Sequence, residues 1–167
     1  MKQCNNRKSW QGFTLLELVI VMAVIGILAS LGVVSFVKYS NSQALSAAAS
    51  DLANTLNVAK ARSLSQVKPS ACNSIDGYEV RICGLLGSTC ISPSVSFELD
   101  VKCGGSVVAP SITTKKLPTD INFDVTTTSK SFFFPVLTGG VIGSGTVVLS
   151  GYGRTKNVTV SLSGDIQ

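Results

Sequence analysis

The sequence predicts an α+β chain in which one long N-terminal helix packs against an antiparallel β-sheet domain. Three observations predict it. From Phe13 to Val37 the sole ionisable side chain is Glu17. From Lys38 to Val67 apolar residues recur at three- and four-residue steps without a proline. From Ser70 onward the repeat shortens to two, and glycine and proline punctuate the chain. The longer repeat marks a helix lying on a core, and the shorter one marks half-buried strands.

Met1–Gly12 is short and polar, with Lys2, Arg7, Lys8 and Cys4. Phe13–Val37 then makes a helix of about 37 Å, enough to cross the hydrocarbon core with some tilt. A carboxylate in such a segment costs about 2–3 kcal/mol at mid-bilayer and less near an end, so Glu17 is expected to serve a partner. Gly26 and Ser30 form a small-residue pair at four-residue spacing, which lets helices approach closely. The basic residues ahead of the apolar run hold the N-terminus in the cytoplasm and send the remainder outward.

Residues 38–67 are expected to continue the helix to a total of about 80 Å. Leu45, Ala48, Ala49, Leu52, Leu56 and Ala59 form its apolar stripe, and Ser46, Ser50, Asp51, Asn54 and Lys60 fall mostly off it. The stripe is read as the seat of the chain's own sheet. Pro69 is expected to end the helix.

Strands are expected at Tyr78–Cys83, Val95–Val101, Val107–Ile112, Ile121–Val125, Phe132–Val136, Thr146–Ser150 and Val158–Leu162. Gly84, Gly87, Pro93, Gly104-Gly105 and Pro118 separate them. Seven of the 15 glycines follow residue 138, which points to tight reversals between short strands. Phe132 and Phe134 share a face and are assigned to the core.

Composition removes several function classes. Histidine is absent, which excludes Ser-His and Cys-His nucleophile pairs within the chain and the commonest metal ligand. There is no phosphate-binding GxxxxGK[ST] loop, and the nine acidic residues show no catalytic spacing. The chain is therefore read as a non-enzyme with no cofactor. Its net charge of +5 falls to +2 once Lys2, Arg7 and Lys8 are set aside, so charge alone implies no general affinity for nucleic acid.

Cys72, Cys83, Cys90 and Cys103 lie beyond the apolar run, on the side expected to be exported, where disulfides persist. If Tyr78–Cys83 and Val95–Val101 form a hairpin, the nested pairing Cys83–Cys90 with Cys72–Cys103 is the geometrically easy one. Cys72–Cys83 with Cys90–Cys103 is the rival. A zinc site has neither CxxC nor histidine to build on.

The hexapeptide Gly12-Phe13-Thr14-Leu15-Leu16-Glu17 and the apolar run behind it resemble the prepilin signature of type IV pilins and type II secretion pseudopilins. The resemblance implies that a prepilin peptidase cuts between Gly12 and Phe13 and N-methylates Phe13. It also implies that Glu17 of one subunit neutralises the Phe13 amine of a neighbour in the filament. Family members often carry a proline near the position of Val34; this chain has none, and Gly32 is a partial substitute.

Ala59-Lys60-Ala61-Arg62-Ser63 resembles a pattern of the GspH/FimT-type minor pseudopilins and minor pilins. So do Leu117-Pro118, Phe134, Gly140, Thr146–Ser150 and the segment Val158–Ile166. The resemblance implies a minor subunit of a type IV pilus or type II secretion pseudopilus, anchored in the inner membrane with its C-terminal domain periplasmic. Its implied partners are prepilin peptidase, other major and minor pilins or pseudopilins, the inner-membrane assembly platform, and membrane lipid before assembly. Domain boundaries on this reading are 1–12 for the leader, 13–37 for the membrane and filament-core helix, 38–67 for its amphipathic continuation, and 68–167 for the β-rich domain.

Some FimT-type pilins bind DNA through basic residues near the C-terminus. Here Arg154 and Lys156, beside Tyr152, are read in a glycine-rich turn over 151–157, with Lys115-Lys116 as a second basic pair. DNA uptake is therefore the alternative function, and a membrane-tethered adhesin is a third.

Overall fold

The computed structural model describes residues 12–70, 72–88, 90 and 95–167, without the side chains of 29–34. Lys2, Cys4, Arg7, Lys8, Pro93, and the Ser30 and Val34 side chains lie outside the described residues. The chain divides into two compact units, one up to Ser40 and one from Asn41 to Gln167.

Helix α1 spans Leu15–Leu64 and runs through Gly32 without a break. In the first unit its apolar side chains stand exposed, among them Leu18, Ile20 and Val24. In the second unit Leu45, Ala48, Leu52, Leu56 and Ala59 are all buried, as the stripe predicts, with Ala49 packed at the margin.

The helix ends three residues before the expected Val67, and Pro69 is not what stops it. Gln66 takes a left-handed conformation (φ 49°). Its N–H donates to Ser63 O, and the Val67 N–H reaches back to Arg62 O at 3.3 Å. This is the paired C-terminal closure that satisfies the last carbonyls of a helix, here with glutamine where glycine is usual.

Seven strands follow: β1 Ile75–Cys83, β2 Ser96–Cys103, β3 Ser106–Lys116, β4 Ile121–Phe123, β5 Ser131–Pro135, β6 Gly145–Gly151 and β7 Arg154–Val160. They form two antiparallel sheets where one was expected, in the orders β3-β2-β1-β5 and β4-β6-β7. Tyr78, Val80 and Ile82 of β1, Phe97, Leu99 and Val101 of β2, and Phe132 and Phe134 of β5 join the helix stripe in one core. Val147, Leu149, Val158 and Val160 of the second sheet join the same core. Gly77 is required where β1 meets β5, because a Cβ there would collide with Phe134 O.

β1 begins three residues before the expected Tyr78, β3 runs four residues past the expected Ile112, and β4 and β7 also depart from expectation. β4 stops at Phe123, leaving Val125 exposed, because Asp124 Oδ1 accepts the Thr126 N–H at 2.9 Å and its hydroxyl at 2.8 Å, which turns the chain. β7 begins at Arg154 and ends at Val160, rather than running from Val158 to Leu162. Its first residues are polar and exposed yet pair through the backbone with β6, so no apolar alternation marks them. Lys156 accordingly lies in a strand, opposite Leu149, and not in the turn.

The other face of β1 and β2 is also buried. Arg81 stands opposite Glu98 in the ladder, with Asp100 one pleat along. Its Nε donates to Asp100 Oδ2 at 2.8 Å and its Nη2 to Glu98 Oε2 at 3.3 Å. All three side chains are less than a tenth exposed. Lys102 pairs with Glu79 at 3.8 Å on the same face and lies over the Phe133 ring.

Candidate functional site

The N-terminal segment of the first unit is built around the start of α1. Gly12, Phe13 and Thr14 precede the helix without regular structure. Thr14 is the N-cap: its Oγ1 accepts the Glu17 N–H at 3.2 Å, and its carbonyl accepts the Leu18 N–H at 3.1 Å. Glu17 therefore occupies the third helical position of a Thr-x-x-Glu cap. Phe13 is 79% exposed, and nothing lies within 4 Å of where a Gly12 side chain would project. The Gly12–Phe13 peptide bond is thus open and non-helical, as an external protease requires of its substrate. Gly12, Phe13, Thr14 and Glu17 together line an open depression.

The electrostatics of this segment have a definite sign. A helix N-terminus carries about half a positive charge, which favours a carboxylate in the first turn and disfavours an amine. Severing the bond before Phe13 would create an α-amine, largely protonated at neutral pH, one residue ahead of the cap. Glu17 is the acidic residue of the first turn and the one carboxylate between Phe13 and Val37.

In the second unit the cysteines pair as Cys72–Cys103 and Cys83–Cys90, the nested arrangement. The Cys83 and Cys90 sulfurs and a Glu98 carboxylate oxygen lie within 4.8 Å of one another. Those sulfurs are bonded to each other, so the cluster offers no thiolate to a metal.

The basic residues occupy two strand ends, Lys115 and Lys116 closing β3 and Arg154 and Lys156 opening β7. Arg154 opens β7, and its Nη1 donates to Ser42 Oγ on α1 at 3.2 Å. Tyr152 takes a left-handed conformation in the β6–β7 turn, is 39% exposed, and donates its hydroxyl to Thr119 O. Lys115 reaches Asp51 at 3.1 Å, and Lys116 is exposed beside it. Tyr152, Arg154 and Lys156 are all exposed, Tyr152 in the β6–β7 turn and both Arg154 and Lys156 on β7, where the turn was expected to hold all three. The buried Arg81–Glu98–Asp100 group does not emerge from sequence reasoning. Its signal is the placement of opposite charges on facing strands, legible only once the hairpin register is known.

Residues 11–33 match the Prokaryotic N-terminal methylation motif. The chain therefore carries the prepilin signal shared by type IV pilin-like proteins, a signal of structural subunits. Comparison with curated proteins and with solved structures found no match. Among the described residues no helix is long and apolar enough to cross a membrane.

Proposed function

We propose that this chain is a minor pilin or minor pseudopilin, a structural subunit of a type IV pilus or type II secretion pseudopilus. Prepilin peptidase removes residues 1–12 by cutting between Gly12 and Phe13 and N-methylates Phe13. Residues 13–37 anchor the subunit in the inner membrane and then pass into the filament core. The β-rich unit faces the periplasm and, after assembly, the outside of the filament. The observation that carries this reading is the methylation motif at the head of a continuous apolar run, with Gly12–Phe13 exposed ahead of a capped helix.

The mechanism is one of charge exchange. After cleavage the Phe13 amine faces the positive end of its own helix. In a bundle of apolar helices both it and Glu17 are costly to desolvate alone. A neighbour's amine set against Glu17 cancels both costs and fixes the axial register between subunits. Glu17→Val should leave membrane insertion intact and deplete the subunit from sheared filaments, measured by immunoblot of filament and membrane fractions. Normal incorporation of the variant would refute the role of Glu17.

A second reading, DNA binding during uptake, is favoured by the exposure of Arg154 and Lys156 beside Tyr152. Backbone contact with stacking on Tyr152 is the chemistry it would use.

A further inference from the structure

The geometry points to a second contact surface in the β-rich unit: a basic collar around residues 42–51 of α1 that rests on anionic phospholipid head groups while the chain is held in the membrane. This rests on the membrane-anchored reading above and names the lipid chemistry that the exported unit meets.

The collar is built from two strand ends, the last residues of β3 and the first of β7, on opposite flanks of one helix stretch. On one flank Arg154 donates to Ser42, and Lys156 lines a shallow groove with Ser46, Ala49 and Ser50. On the other, Lys115 pairs with Asp51, and Lys116 lines a groove with Ala44 and Ala47. At 100° per residue, positions 46, 49 and 50 and positions 44, 47 and 51 fall on opposite sides of α1. The segments beside these strand ends are fastened to each other by the Tyr152 hydroxyl on Thr119 O at 3.2 Å and by pairing of Ile121 with Gly151. Arg154 and Lys115 are turned onto the helix, and Lys116 and Lys156 stand exposed beside it.

The charge balance favours an anionic partner. Lys115, Lys116, Arg154 and Lys156 face Asp51, which is already paired, and Asp120, leaving a net charge of +2. Lys116, Arg154 and Lys156 are exposed. Tyr152 adds a half-exposed ring with a polar tip, the side-chain type that favours the head-group layer.

Chain length puts the near edge of the collar, at Ser42, within reach of a membrane surface. Ser42 is five residues beyond Val37, the last residue of the apolar run. As a helix the five residues to Ser42 span about 7.5 Å, and the fourteen to Asp51, at the far edge of the collar, about 21 Å. The negative potential of an anionic leaflet extends about 8–10 Å into solution. Lys38 lies within the same short connection. A planar lipid surface meets both flanks of the helix at once. A nucleic-acid backbone follows a single track and would engage one flank.

The test uses the full chain reconstituted in vesicles of phosphatidylcholine, with or without phosphatidylglycerol, and amine acylation read by peptide mass spectrometry. Labelling of Lys116 and Lys156 should fall about five-fold in the anionic vesicles and recover in high salt, since each basic side chain near such a surface gains about that factor. Lys68, exposed beyond the far end of α1, should label equally in both and serves as the internal reference. Equal labelling of Lys116 and Lys156 in the two compositions would overturn the proposal. Protection by short duplex DNA on zwitterionic vesicles, without protection by anionic lipid, would overturn it in favour of a nucleic-acid contact. Failure of the anchor itself is seen separately, as a chain that does not float with zwitterionic vesicles. The same labelling against added anionic vesicles then still decides the collar.

Discussion

Leu18, Ile20 and Val24 stand about half exposed on the first unit, whereas Arg81, Glu98 and Asp100 lie almost wholly buried in the second. Both regions invert the usual placement of apolar and charged groups, for opposite reasons. The buried charges pair with one another, except that Asp100 Oδ1 has no hydrogen-bond partner among the described residues: a guanidinium between two carboxylates returns in paired hydrogen bonds part of what desolvation removes. The exposed apolar residues have no partner of that kind in their own unit. On the proposed function their burial is supplied by a lipid bilayer or by neighbouring helices. A buried charge with partners is a finished piece of structure, while an apolar run without them marks an environment outside the isolated chain.

The contrast can be broken first at its charged end. Arg81→Ala should destabilise the second unit by about 3–5 kcal/mol, because it strands Glu98 and Asp100 without their counter-charge. Urea unfolding of the full chain in detergent measures this. A loss below about 1 kcal/mol would mean that water solvates the two carboxylates and that the pairing contributes as little as a surface ion pair.

The helix itself sharpens the comparison. Leu52→Ala removes a fully buried side chain and should cost about 3 kcal/mol. Leu18→Ala, on the same helix, should move the unfolding free energy by less than about 0.5 kcal/mol. Equal effects would show that the two halves of α1 are not in different environments.

The smallest effect is at Tyr78, whose hydroxyl donates to Val67 O next to the helix end. Tyr78→Phe should cost about 1 kcal/mol. Burial holds the Tyr78 phenol above its ordinary pKa, with Arg62 pulling weakly the other way. The unfolded chain therefore loses this proton first. The stabilisation is complete below about pH 10 and is lost as pH rises through the folded value. Wild type should thus lose more stability than Tyr78→Phe on going from pH 8 to strongly alkaline solution, and an identical pH response would remove the assignment.

Much of this architecture is legible in the residues, wherever side-chain pattern alone decides structure. The stripe from Leu45 to Ala59 chooses the buried face of the helix, and alternation places Phe132 and Phe134 inside. Backbone-driven features are not legible. Gln66 in a left-handed conformation leaves no compositional trace where glycine would have, so the expected helix end falls too late. The first residues of β7 are a polar edge held by ladder bonds, so side-chain pattern puts Lys156 in a turn. The division into two sheets follows from register, which no single strand reveals. At the N-terminus the position is reversed. The Thr14–Glu17 cap and the apolar run are local in sequence, and the hexapeptide by itself marks the candidate processing site.

The central claim is that the working protein begins at Phe13 with a methylated amine, which frees Glu17 to meet a neighbour's charge. Intact mass measurement of the protein purified from membranes tests it most directly. The mass should equal that of residues 13–167 with one added methyl group and two disulfides, and Gly12→Val should restore the mass of the unprocessed chain. A wild-type mass that includes residues 1–12, or one that lacks the methyl group, would contradict the account.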